Sequence, residues 1–150
     1  MATNIHHKYF FAQPPEQVWE YLTKAELMAL WLMPNDFLPI LGHEFTFRIK
    51  AIPAREFDGI IYCKVLEMAP FKKLSYSWAL GPGDGRITMD STVVWQLLPK
   101  ENGTELILDH TSIKEVENIA LWNGMRIGWL ENMQKMDVKI NASIHGTTTT

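Results

Sequence analysis

The sequence predicts an α+β domain in which a curved, six-stranded antiparallel sheet is covered by one long C-terminal helix, with two short helices after the first strand. Three observations indicate this architecture. A double proline and a short apolar pattern follow the first strand, five strand-like runs with hairpin-length connections come next, and a long helical period closes the chain. The element order is therefore β-α-α-β-β-β-β-β-α, and a length of 150 residues corresponds to a single domain, residues 1–150.

The N-terminal part predicts a strand followed by two helices. Residues 5–12 alternate in polarity, as a half-buried strand does. Pro14 and Pro15 suit a first helical turn, where the missing N–H would have no partner anyway. The second helix is predicted to begin with a capping box at residues 23–26 and to end before Pro34. Its predicted buried residues are Leu27, Leu30 and Trp31.

Five further strands are predicted from apolar or alternating runs that are separated by turn residues. They cover residues 42–50, 57–68, 74–78, 88–98 and 104–110. The sequence GPGDG after the third of these strands, and Asn102-Gly103 before the last one, predict tight turns. Hairpin-length connections imply an antiparallel meander, and the first strand brings the sheet to six strands.

From Val116 to Ser143 the pattern changes to a helical period, with apolar residues three and four positions apart. Gly128 interrupts this helix and is expected to allow a bend or a close backbone approach. Residues 145–150 have nothing to bury and are expected to fray. The predicted buried face consists of Ile119, Trp122, Met125, Trp129, Met133 and Met136.

Composition and charge argue against several classes of partner. The net charge is −3 and the Lys and Arg residues are scattered, so we expect no nucleic-acid partner. The longest apolar run, residues 27–33, is far shorter than the about 20 residues of a membrane helix, so we expect no membrane partner. No signal-peptide pattern is present, and the single cysteine, Cys63, is expected to be a buried, inert thiol. These features favour a cytoplasmic protein.

The chain lacks GxSxG, HExxH, CxxC, Walker and GxGxxG motifs, so we predict no catalytic residue, no metal site and no cofactor. His6 and His7 should lie on opposite faces of a strand and cannot share one ion. His110 should face the interior, either bonded to a backbone carbonyl or acting as a pocket contact or general base. The general-base alternative requires a carboxylate beside it, such as Glu67, and a register shift of one residue decides which way Glu67 faces.

The bulky apolar residues on elements that should converge indicate either an ordinary core or an aromatic-lined cavity. Burying about 250 Å² of apolar ligand surface would give about 6 kcal/mol, most of which is offset by association costs of at least about 4 kcal/mol. Selective binding would then need polar contacts from His110, Tyr76 or Glu67. The residues predicted to contact a small hydrophobic or aromatic ligand are Trp31, Phe45, Phe47, Tyr76, Trp78, Trp95, His110, Met125, Trp129 and Met133.

A set of short motifs follows in order over nearly the whole chain: Pro15-Glu16-Gln17-Val18-Trp19 with Leu22-Thr23, the helix end from Trp31 to Pro34, Gly42 with Phe45, Gly59 with Val65, Glu67 and Pro70, Leu74-Ser75-Tyr76-Ser77-Trp78, Gly103-Thr104 with Leu106 and His110, and Gly128-Trp129. With the element order, this set resembles the helix-grip fold of the START-like (SRPBCC) superfamily. Within that superfamily it is most similar to the Aha-type family, whose members resemble the C-terminal domain of the activator of the heat-shock protein 90 ATPase.

The resemblance implies a START-like domain that holds a small hydrophobic ligand between the sheet and the C-terminal helix. Two alternatives stay open. One is a co-chaperone-like interaction module with a chaperone as its partner, and the other is a cyclase- or hydrolase-like enzyme that uses His110. A homodimer is also open, because exposed strand edges and outward Trp residues favour pairing.

Overall fold

The computed structural model describes residues 4–113, 116–117 and 119–145. Residues 146–150 of the predicted frayed tail lie outside the described residues, and His145 is the last residue of the long helix. Within the described residues the chain forms, in order, β1 (Asn4–Phe11), α1 (Pro15–Thr23), α2 (Ala25–Trp31), β2 (Glu44–Arg48), a 3-10 turn (Pro53–Arg55), β3 (Ile60–Ala69), β4 (Lys73–Leu80), β5 (Met89–Lys100), β6 (Gly103–Ser112) and α3 (Ile119–His145). The predicted fold class and element order are confirmed.

The sheet has the strand order β1-β6-β5-β4-β3-β2, and all of these neighbours are antiparallel. Strands β2 to β6 form the predicted meander, and β1 pairs along β6 as the other edge strand of the sheet. A bulge between Val65 and Glu67 shifts the register of β3 against β4. Bulges of this kind bend a strand and increase its twist, which helps the sheet to curve around the helix that covers it.

One face of the sheet is buried beneath α3. In β4 and β5 every second side chain points inward, as the alternation of Leu74, Tyr76 and Trp78 predicts. The buried residues of α3 that cover them are Trp122, Trp129, Met133, Met136 and Ile140. The exposed Ile119 and half-buried Met125, both predicted for this face, depart from it because they lie at its edge in the first two turns of the helix.

The start of α2 differs from the prediction. The helix begins at Ala25 with Lys24 as its N-cap, and no side chain caps it. The Thr23 hydroxyl donates instead to the carbonyl of Trp19, 2.8 Å away in α1, so the predicted capping box does not form. Thr23 is the last residue of α1, where the carbonyl one turn earlier competes for its hydroxyl.

The buried side of α2 also differs from the prediction. Met28 and Trp31 are buried, Leu27 is half-buried and Leu30 is 43% exposed. Met28 and Trp31 lie three residues apart on one face of this seven-residue helix, which leaves Leu30 on another side. Among the described residues, no helix is both long and apolar enough to cross a membrane.

Polar contacts join the helix α3 to the edge strand β1 and to Gln13, which follows this strand. The distances are 2.8 Å from His7 Nε2 to the carbonyl of Arg126, 2.9 Å from Tyr9 Oη to Asp137 Oδ2, and 2.6 Å from Gln13 Nε2 to Asn141 Oδ1. On the other face of β1, His6 Nδ1 lies 2.7 Å from Asp109 Oδ1. The two neighbouring histidines therefore lie on opposite faces, as predicted.

Candidate functional site

His110 is fully buried in β6 at the centre of a chain of hydrogen bonds. Trp129 Nε1 donates to His110 Nδ1 at 2.9 Å, and His110 Nε2 lies 2.8 Å from Ser91 Oγ. The Ser91 hydroxyl donates in turn to the carbonyl of Trp78 at 2.8 Å. An indole nitrogen can only donate, so His110 Nδ1 accepts and the ring proton lies on Nε2, which donates to Ser91. The chain therefore fixes one tautomer of His110 and holds Trp129 and Trp78 against it.

The environment of His110 disfavours a role as general base. Burial lowers the pKa of His110 to about 3, so the ring is neutral at physiological pH, and both of its nitrogens are already bonded. Glu67, the carboxylate that an acid–base pair would need, is exposed and pairs with Lys73 at 3.0 Å. Strict alternation after Val65 would have turned Glu67 inward, but the bulge turns it outward.

Most of the predicted ligand residues are packed together in the buried core of the domain. Their rings meet edge to face, for example Trp31 against Trp95 at a centroid distance of 5.9 Å. Trp95 Nε1 donates to Tyr76 Oη at 2.9 Å, so both polar atoms are used within the core. Their assignment to a ligand site stays a prediction. The residues in this position are Trp31, Phe45, Phe47, Tyr76, Trp95, His110 and Met133.

A pocket of about 240 Å³ opens beside this core, between the end of α2, the 3-10 turn and the first half of α3. Three of the predicted ligand residues, Trp78, Met125 and Trp129, lie in its wall. The remaining lining residues are Leu32, Met33, Arg55, Leu121, Gly124, Gly128 and Asn132. The open space lies beside the first half of α3, whereas the sequence predicted a cavity between the sheet and this helix without indicating which part of the helix borders it.

Two glycines on one face of α3 leave this space open. A methyl group built at Gly128 would meet no atom within 4 Å, and one built at Gly124 would lie 3.6 Å from Arg55 Nη1. The close backbone approach expected at Gly128 is therefore absent. Each glycine inside a helix costs about 1 kcal/mol relative to alanine. Gly124 was not predicted to border a pocket, although its position four residues before Gly128 places both glycines on one helical face.

The polar groups of the pocket are few. Arg55 is exposed at the mouth, and Asn132 is half-buried in the wall. The indole N–H of Trp78 is buried and has no hydrogen-bond acceptor among the described residues. Such an unpaired donor costs about 1–3 kcal/mol. An apolar wall with a small number of polar groups is the usual composition of a small-molecule site.

Other parts of the surface fit a ligand less well. A hollow of about 480 Å³ along β2, β3 and β4 has Asp36, Glu44 and Lys64 in its lining, a mixture of charges that would have to lose water when a ligand binds. Within the described ranges, no group of three or more His, Cys, Asp or Glu side chains is placed to hold a metal ion. Cys63 is buried in β3 as predicted, and burial raises the pKa of its thiol.

The fold is similar to that of several solved structures. A crystal structure of a protein from Mesorhizobium loti is 29% identical, with a TM-score of 0.80 over 93% of this chain and 97% of that one. A solution structure from Bacillus halodurans is 26% identical, with a TM-score of 0.70 over 92% and 96%. A crystal structure from Rhodobacter sphaeroides is 25% identical, with a TM-score of 0.70 over 93% of each chain.

A search of curated proteins finds no match to this chain. The sequence does match a family model, described as Activator of Hsp90 ATPase homolog 1-like protein, over residues 12–140. This range begins just after β1 and ends within the last turns of α3, so it includes both walls of the pocket. The chain therefore belongs to the Activator of Hsp90 ATPase homolog 1-like family and has the START-like helix-grip fold.

Proposed function

We propose that this protein binds a small, mainly apolar molecule with an aromatic portion in the pocket beside the first half of α3. One observation carries the proposal. Gly124 and Gly128 leave about 240 Å³ open against Trp78 and Trp129, although alanine at these positions would favour the helix. A helix that only covered a core would gain stability from side chains at these positions. The absence of side chains there therefore favours a pocket that holds a ligand.

The size and chemistry of the pocket indicate the kind of molecule. An apolar cavity of about 150 Å³ is large enough to bind benzene, so a pocket of about 240 Å³ suits a molecule with one or two fused rings. The rings of Trp78 and Trp129 offer edge-to-face contacts, and the Met125 thioether adapts to irregular shapes. An oxygen on the ligand would supply the acceptor that the Trp78 N–H lacks.

In this proposal His110 supports the site and takes no part in chemistry. Its hydrogen bonds hold the side chain of Trp129 and, through Ser91, the backbone of Trp78. These two residues form the aromatic wall of the pocket. The buried network would therefore keep the wall preorganised for a ligand, and this lowers the entropic cost of binding.

The proposal is tested by titration with 2-naphthamide, a neutral two-ring probe, followed by NMR and calorimetry. We expect saturable binding of one probe per chain, with shifted indole signals from Trp78 and Trp129. Gly128→Leu fills the pocket and should abolish binding. Asn123→Leu is the matched control, because it adds the same side chain at an exposed position of α3 outside the pocket. Equal binding by both variants, or no saturable binding to the wild-type protein, would overturn the proposal.

A second function, a co-chaperone-like interaction module, is favoured by a different observation. Leu38, Ile40 and Leu41, in the connection before β2, are 49%, 56% and 65% exposed, and exposed apolar residues of this kind suit a protein partner or a second copy of the chain. Such a module would act through its outer surface, so Gly128→Leu should leave it intact. A pull-down with a chaperone tests whether this variant still forms a chaperone complex, and sedimentation tests whether it forms a homodimer. Either association in a variant with a filled pocket would be independent of ligand binding.

A further inference from the structure

Building on the proposed function, we infer that the ligand is an aromatic carboxylic acid, bound with its ring against Trp78 and Trp129 and its carboxylate at the pocket mouth against Arg55 and Asn132. This inference names the class of ligand, whereas the proposed function requires only that it be small and mainly apolar. The following observations on the charge, position and hydrogen-bonding groups of the mouth carry it.

The charge of the pocket lining is one-sided. Among the described residues that line the pocket, Arg55 carries the only formal charge, and the lining includes no Asp or Glu. The protein as a whole is acidic, with a net charge of −3. A guanidinium beside apolar walls attracts anions locally, and its exposure to water keeps this attraction modest. A ligand with one negative charge therefore complements this pocket better than a neutral one or a cation.

The position of Arg55 places this charge at the mouth. Arg55 ends the 3-10 turn, and its backbone N–H donates to the carbonyl of Ile52 at 2.9 Å. Its guanidinium lies beside the bare backbone of Gly124, since a methyl group there would be 3.6 Å from Nη1. A larger side chain at Gly124 would crowd the guanidinium. The glycine therefore leaves room for the Arg55 guanidinium at the edge of the pocket.

The hydrogen-bonding groups at this point match a carboxylate. A guanidinium has five N–H donors, so Arg55 can keep its contacts within the protein and still donate to a ligand. Two parallel N–H donors match the two oxygens of a carboxylate. The amide of Asn132, in the wall of the same pocket, can supply a further donor. A planar aromatic acid would use the apolar wall and these donors together.

The test compares two probes of nearly the same shape, 2-naphthoate and 2-naphthamide, by calorimetric titration at low salt. We expect the wild-type protein to bind the acid about fivefold more tightly than the amide, a modest preference because the guanidinium is exposed. Added salt should reduce this preference. Gly128→Leu should abolish the binding of both probes, which places them in the same pocket.

Arg55→Gln is expected to weaken the binding of the acid to the level of the amide and to leave the amide unchanged. The matched control is Arg126→Gln, which removes an exposed arginine of α3 that does not line the pocket. The inference is overturned if the wild-type protein binds both probes equally, or if Arg55→Gln weakens both alike or neither. In each of these cases binding of the amide would still support the proposed function. If neither probe binds, the proposed function and this inference fail together.

Discussion

The two halves of α3 differ in how completely their inner faces are packed. In the second half, residues 133–145, the side chains of Met133, Met136 and Ile140 are fully buried, and hydrogen bonds join Asp137 to β1 and Asn141 to the residue Gln13 that follows β1. In the first half, residues 119–132, two glycines face a pocket of about 240 Å³. One helix can therefore be fully packed at one end, which stabilises the fold, and border an open pocket at the other. These two parts are the closed half and the open half of the helix.

The largest expected effect is on the closed half. Met136→Ala should lower the free energy of unfolding by about 2–5 kcal/mol, because it leaves a cavity in a fully packed region. Denaturant unfolding measures this change, with Gln134→Ala, an exposed position of the same half, as the control. If the two halves are independent, the affinity for 2-naphthamide should not change. A loss of affinity as large as that of Gly128→Leu would contradict the division of α3 into two halves.

The next effect concerns the hydrogen-bond network of His110, which holds Trp129 in the first half of α3. The pKa of His110 is lowered from its ordinary value of 6.5 to about 3 by burial. Between these values the unfolded chain binds a proton that the folded protein does not bind, so stability rises with pH. The contribution of His110 is therefore complete above about pH 6.5 and is lost on acidification, by at most about 1.4 kcal/mol per pH unit.

His110→Gln isolates this effect, because glutamine does not titrate. We expect the variant to be less stable than the wild-type protein at neutral pH, where it disturbs the bonds to Trp129 and Ser91. Its stability should fall less between about pH 6 and pH 4, so the difference between the two proteins narrows. Urea unfolding at successive pH values measures it. Parallel profiles for the two proteins would show that His110 is not the group responsible.

The sequence predicted the closed half of α3 and the sheet well. Apolar residues three and four positions apart identified Met133 and Met136 as buried, and alternation identified the inward face of β4. These predictions depend only on which side of an element is apolar. Glu67 was harder, because the bulge beside Val65 changes the face without any clear mark in the sequence.

The open half could not be predicted in the same way. Periodicity gives the direction of a side chain but not the volume left unfilled, so the residues packed solidly beneath α3 and those lining the pocket looked alike. Gly128 was expected to allow a bend or a close backbone approach, and no role was predicted for Gly124. Arg55 ends the 3-10 turn between β2 and β3, and no periodicity in this short connection indicates that its side chain lines the pocket.

The smallest expected effect is on the open half, and it has opposite signs for stability and binding. Gly128→Ala should raise the free energy of unfolding by about 0.5–1 kcal/mol, because alanine favours the helix and its methyl group meets no atom within 4 Å. The same methyl group enters the pocket and should weaken the binding of 2-naphthamide. Gly124→Ala should stabilise less, since its methyl group would contact Arg55 Nη1 at 3.6 Å. Thermal unfolding measures the change in stability of both variants, and titration measures the change in their affinity for 2-naphthamide. A Gly128→Ala protein that gains stability and binds the probe as tightly as the wild-type protein would show that this glycine is not needed for ligand binding.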